Sequence, residues 1–164
     1  MPFEQIHIGG WLIEVDRKAT QAAYLNEHPI SACTCDYCQN YFAACSTNRA
    51  FSPSTVAFFQ SVGIAPEKEA EVYTIYANRE KTQAYYGGFY HLVGRIIEKA
   101  EGQGYTLIDD QFGVAFSEKI SLISKGFPQP ALQMEFTSFI PWVLAEKRDA
   151  LDQLPFEPGG THAF

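Results

Sequence analysis

Glu71-Val72-Tyr73-Thr74-Ile75-Tyr76-Ala77 is the stretch on which the fold class turns. Before it, apolar side chains recur at helical spacings. Within it, Val72, Thr74 and Tyr76 alternate with Tyr73, Ile75 and Ala77, the period of a β-strand. The strand period then persists. Asn78-Arg79-Glu80-Lys81 reads as a turn, and Thr82 to about Lys99 as a long extended run ended by Gly102-Gln103-Gly104. Phe112, Val114 and Phe116 alternate with Gly113 and Ala115, and Leu132, Met134 and Phe136 with Gln133, Glu135 and Thr137. Ile120 to Ser124 reads as a strand between them, and Gly126-Phe127-Pro128-Gln129-Pro130 as a loop. Pro141 cannot donate to a ladder, so Trp142 to Leu144 reads as an edge strand or a new segment.

Working back toward the N-terminus, Ser52 is placed to cap a helix with Pro53 as its first residue, where the missing N–H costs nothing. Val56, Phe59 and Val62 form its stripe, and Gly63 supplies a left-handed stop over which Ile64 folds back. Thr34 is expected to cap an earlier helix beginning at Cys35, with Cys38, Tyr41, Phe42 and Cys45 on one face. Ala19, Ala22, Ala23 and Leu25 suggest a short helix stopped before Pro29. Ile6 and Ile8 precede Trp11, Ile13 and Val15 across Gly9-Gly10, which reads as a hairpin. Strands and helices are segregated instead of alternating. The expected class is α+β: an N-terminal strand pair and short helices packed on a curved, mainly antiparallel sheet or partial barrel.

The 164 residues suit one core, so residues 1–154 are expected to form a single domain and 155–164, rich in Pro and Gly, a loose tail. Thirteen Phe and nine Tyr also favour sheet. Twelve basic against nineteen acidic residues leave a charge of −7, which argues against nucleic acid or a membrane surface as partner. Arg17-Lys18 and Lys147-Arg148 are each flanked by acidic residues and make no patch. The chain carries no apolar run of spanning length and no signal-peptide pattern at Met1-Pro2-Phe3-Glu4-Gln5-Ile6, so a cytoplasmic location is expected. In that compartment cysteines stay reduced or bind metal.

All four cysteines fall between Cys33 and Cys45, in the run Cys33-Thr34-Cys35-Asp36-Tyr37-Cys38 and then Cys45. Thiolates favour Zn²⁺, and Cys33, Cys35, Cys38 and Cys45 are the candidate ligands. The pattern has one C-x2-C pair where zinc sites commonly have two, and Cys45 shares a helix with Cys38. A three-sulfur site completed by His28 or His91 is sterically easier. The alternatives are a reactive thiol at Cys35 or Cys38 near a helix start, and buried, inert thiols.

Tyr85-Tyr86-Gly87-Gly88-Phe89-Tyr90-His91 is the second unusual run. Glycines inside a strand mark a bulge, a bend or a close approach. Tyr86, Tyr90 and His91 are the candidate contacts for a small-molecule ligand; the alternative is a bent sheet whose aromatic side chains tuck over glycine. Asp109-Asp110 is expected to shape a turn before Phe112. The sequence contains no G-x-S-x-G, H-E-x-x-H, phosphate loop or dinucleotide fingerprint.

Three stretches together resemble a family of small bacterial proteins without a known activity. They are Cys33-x-Cys35-x-x-Cys38-x-Asn40, Tyr86-x-Gly88-x-Tyr90-His91-x-Val93-Gly94, and Glu135-Phe136 leading to Ile140-Pro141-Trp142-Val143-Leu144. The resemblance spans about Trp11 to Glu146 and implies a bacterial cytosolic protein of one domain, with no activity to carry over. The functions left standing are a ligand- or metal-binding domain, a cysteine-dependent enzyme or thiol sensor, and a homo-oligomeric module using the edge near Trp142.

Overall fold

A computed structural model of the chain describes residues 3–27, 33–102 and 104–156. Strands β1 (Phe3–Ile8) and β2 (Trp11–Asp16) form the expected hairpin, with Gly9 at φ +57° in its turn. Helices α1 (Arg17–Leu25), α2 (Asp36–Ser46) and α3 (Pro53–Val62) follow. Strands β3 (Glu71–Ala77), β4 (Gln83–Glu98), β5 (Thr106–Leu107), β6 (Phe112–Ser117) and β7 (Ala131–Pro141) come next, then a 3-10 helix over Ala145–Gln153. The class is α+β, with an open seven-stranded sheet in the order β1-β2-β4-β7-β6-β5 and β3 paired to β4. Every pairing between these strands is antiparallel.

β4 organises the sheet because it is long enough to take several partners. β7 pairs along Gln83–Val93, β3 along Ala84–Phe89 and β2 along Gly94–Glu98, with register shifts against β3 and at the β2 junction. Its two side-chain rows lead to different places. Tyr86, Gly88 and Tyr90 face the helices, beside Phe136 and Met134 of β7. Tyr41, Phe59, Phe112, Tyr90 and Phe136 then stack into one aromatic core, with ring centroids 5.2–5.9 Å apart along the chain of contacts. Edge-on and tilted rings at such spacings add to what burial alone contributes.

The opposite row carries Tyr85, Gly87, Phe89 and His91, paired with Phe139, Thr137, Glu135 and Gln133. A Cβ built on Gly87 would meet the Tyr73 ring at 2.9 Å, and one on Gly88 would meet the Glu71 carbonyl oxygen at 2.1 Å. Both glycines therefore admit close neighbours from β3.

α3 follows its sequence signals closely. The Ser52 hydroxyl accepts the Thr55 amide at 3.2 Å, Gly63 stands at φ +81°, and the Ile64 amide returns to Phe59 O at 3.1 Å. Its buried stripe is Thr55, Phe58, Phe59 and Val62, with Val56 at the margin. α2 starts one residue later than expected, capped by Cys35 and not by Thr34. Its inward face also turns: Cys38, Asn40, Tyr41 and Ala44 are buried, while Phe42 is exposed. Asn40 draws the face round, because its amide must reach the end of β7. The expected strand at Ile120 to Ser124 is irregular chain, with Leu122 at φ +54°. The Ser121 amide bonds the Gln133 side chain instead of a ladder neighbour. Of the expected tail, Pro155 O accepts the Ala77 amide at 2.8 Å and Phe156 bridges Ala77; the remainder lies outside the described residues.

Candidate metal centre

The Cys33–Cys38 run changes conformation in its middle. Cys35 is extended, at φ −69° and ψ 156°, and the chain becomes helical at Asp36. That turn brings the sulfurs of Cys33, Cys35 and Cys38 within 4.8 Å of one another. Cys33 Sγ lies 3.2 Å from Cys35 Sγ, and the Cys38 amide donates to Cys35 Sγ at 3.4 Å. An amide donated to sulfur satisfies an orphan donor of the helix start. Exposure is graded: Cys35 is exposed, Cys33 half-buried and Cys38 buried.

Cys33 and Cys38 are shifted in opposite directions. The Cys38 thiol, the Cys35 amide and the Cys35 thiol, in that order of weight, hold Cys33 below the ordinary thiol range. Burial pushes Cys38 up, and its hydrogen bonds to Cys33 and Cys35 push the same way. Reactivity was expected at Cys35 or Cys38; of the two, Cys35 is exposed and Cys38 buried.

Cys45 is not part of this group. It lies seven positions after Cys38 on the same helix, which at about 1.5 Å per residue carries it about 10 Å away. It packs against the core, and burial, with Glu69 and Glu67 next in weight, pushes its thiol up. Among the described residues no further His, Cys, Asp or Glu joins the trio. His28 lies outside the described residues.

The start of α2 is fixed by polar contacts rather than by its apolar face alone. Asn40 is fully buried; its Nδ2 donates to Pro141 O at 3.1 Å, and its Oδ1 accepts the amides of Val143 at 2.7 Å and Leu144 at 3.3 Å. Tyr37 donates to Ala150 O at 2.8 Å and meets the Trp142 ring edge-on. Lys147 lies 3.8 Å from Asp36. Trp142 is buried and donates to Leu144 O at 2.9 Å, so its indole presents no free edge.

The second candidate site separates into two parts. Tyr86 donates to Tyr37 O at 2.6 Å, and Tyr90 donates to Pro66 O at 2.8 Å while sharing a short hydrogen bond with Tyr41. Both tyrosines are fully buried, and burial pushes both phenols up. Their hydroxyls tie α2 and the Pro66 loop to the sheet. His91 points to the other face, where Nε2 meets Gln133 Oε1 at 3.3 Å. Burial, outweighing hydrogen bonds from Gln133 and Ser121, lowers its pKa below the usual imidazole value. Tyr90 and His91 therefore do not converge.

Two residues gain roles that the sequence signals did not assign. Asp109 does shape the turn, accepting the Gln111 and Phe112 amides at 2.7 and 2.9 Å, but it also accepts hydroxyls from Ser52 and Thr55. Glu69 is buried, and neither carboxylate oxygen is hydrogen-bonded to another residue. No period or motif marks it, since it lies in the turn between α3 and β3. The chain matches no protein-family model, and searches of curated proteins and of solved structures likewise found no match.

Proposed function

We propose that this α+β domain binds a thiophilic metal ion, zinc being the natural occupant, through Cys33, Cys35 and Cys38. One observation carries the reading: three sulfurs from a six-residue run lie within 4.8 Å of one another at the start of α2. Tetrahedral zinc with Zn–S bonds near 2.3 Å needs sulfurs about 3.8 Å apart. The Cys33 and Cys35 sulfurs, 3.2 Å apart, would have to separate by about 0.6 Å to reach it. Three protein ligands leave a fourth position for solvent or an added ligand, the pattern of an accessible zinc site rather than a closed one.

The reading makes binding, not turnover, the function. A cytosolic setting, where thiols stay reduced, suits it, as does the bacterial origin that the resemblance implies. The net charge of −7 continues to disfavour nucleic acid and anionic membranes as partners. No helix among the described residues is long and apolar enough to cross a membrane. The test is metal content of protein purified without chelator, followed by cobalt substitution. Thiolate-to-cobalt charge-transfer absorption with tetrahedral d–d bands supports the site; absence of both with cobalt in excess removes it.

A further inference from the structure

We propose that Cys33 and Cys35 close a reversible disulfide under a hydroperoxide, and that closure ejects the metal ion. The two sulfurs are 3.2 Å apart, and neither is sealed in the core. A disulfide requires about 2.05 Å between sulfurs, so little movement is needed. Cys38 is buried beneath them and is held by its place on α2. Cys35 precedes the helix and Cys33 lies two residues earlier, so the pair can rearrange without unwinding a turn.

The chemistry balances within the pair and the oxidant. One sulfur attacks the peroxide oxygen, the O–O bond breaks, and an alcohol or water leaves with a proton; the sulfur is left as a sulfenic acid. The second sulfur attacks it, the S–O bond breaks, and the oxygen departs as water with the second proton. Two electrons pass from the sulfurs to the peroxide. Either sulfur can attack first, and the product is the same.

Metal release rests on the binding reading above: a disulfide removes two of the three donors, leaving Cys38 alone. The same three residues would then bind an ion in reducing conditions and surrender it on oxidation. The disulfide itself does not depend on metal, so the two halves can be tested separately.

The chain, first stripped of metal, is treated with one equivalent of hydrogen peroxide, and disulfides are mapped by peptide mass spectrometry. The expected product is Cys33–Cys35, reversed by dithiothreitol, still formed in Cys38→Ser and lost in Cys33→Ser. A dominant Cys35–Cys38 bridge, a bridge to Cys45, or no intramolecular bridge overturns the proposal. The zinc-loaded chain is then oxidised in the presence of a chromophoric chelator. About one zinc released per disulfide formed is expected; zinc retained by the bridged protein overturns the release. A chain that takes up no zinc while forming the bridge contradicts the binding reading and leaves the disulfide standing.

Discussion

Asn40 Oδ1 accepts the Val143 amide at 2.7 Å, joining the middle of α2 to the chain leaving β7. The bond matters because Asn40 is fully buried and its amide has no water to turn to instead. It also explains why α2 presents Asn40 inward and lets Phe42 face solvent, despite the hydrophobic cost. The same side chain binds Pro141 O and the Leu144 amide, so one residue satisfies the backbone where Pro141 ends the strand.

Asn40→Leu keeps comparable bulk but leaves those part-buried backbone groups without their partner. It is expected to cost about 2–4 kcal/mol, several unmet hydrogen bonds at about 1–3 kcal/mol each with partial relaxation. Urea unfolding measures it. A loss under about 0.5 kcal/mol would show that the bonds are not holding α2.

Asp109 fastens the β5–β6 turn to the first turn of α3 through Ser52 and Thr55. Burial raises its pKa, but hydrogen bonds from Ser52, Thr55, Gln111 and Phe112 outweigh that and hold it below the ordinary carboxylate value. A depressed folded pKa stabilises above the unfolded pKa and is lost as pH falls through the folded one. Asp109→Ala is expected to cost about 1–2 kcal/mol at neutral pH and to flatten the acid limb of the stability profile. An unchanged acid limb would contradict the assignment.

Glu69 works in the opposite direction. Burial, opposed by its own backbone amide and reinforced by Glu67, raises its carboxyl from 4.5 to about 8. Tyr24 of α1, Tyr41 and Cys45 of α2, and Tyr90 of β4 all feel its charge, and none is hydrogen-bonded to it. Between those pH values the folded state holds a proton that the unfolded state has released. Stability therefore falls as pH rises through that window, by up to a few kcal/mol. Denaturant midpoints from about pH 5 to about pH 9 should decline in the natural protein and stay flatter in Glu69→Gln. Parallel profiles would remove this account.

Much of the fold was legible because its signals are local. Ser52, Pro53 and Gly63 delimit α3 without tertiary help, the alternation of apolar residues marks β3, β6 and β7, and β4 shows as a long extended run between a turn and the Gly102-Gln103-Gly104 break. The misreadings come where distant groups intervene. Ile120 to Ser124 has strand-like residues, but its amide at Ser121 is taken by Gln133. The 3-10 helix over Ala145–Gln153 is polar and held by Tyr37, which no local pattern announces. For the site, sequence spacing gathered the four cysteines, and helix rise separated one of them. The cap at Cys35 was missed because sulfur is outside the usual capping set. Tyr90 and His91 are adjacent in sequence and opposite in space, as strand parity requires.

The most direct measurement is zinc content across single Cys→Ser variants, read by elemental analysis on protein purified without chelator. The account predicts about one equivalent in the natural chain and in Cys45→Ser, and a large loss in Cys33→Ser, Cys35→Ser and Cys38→Ser. Fewer than ~0.3 equivalents in the natural chain, or equal loss on replacing Cys45, would contradict it.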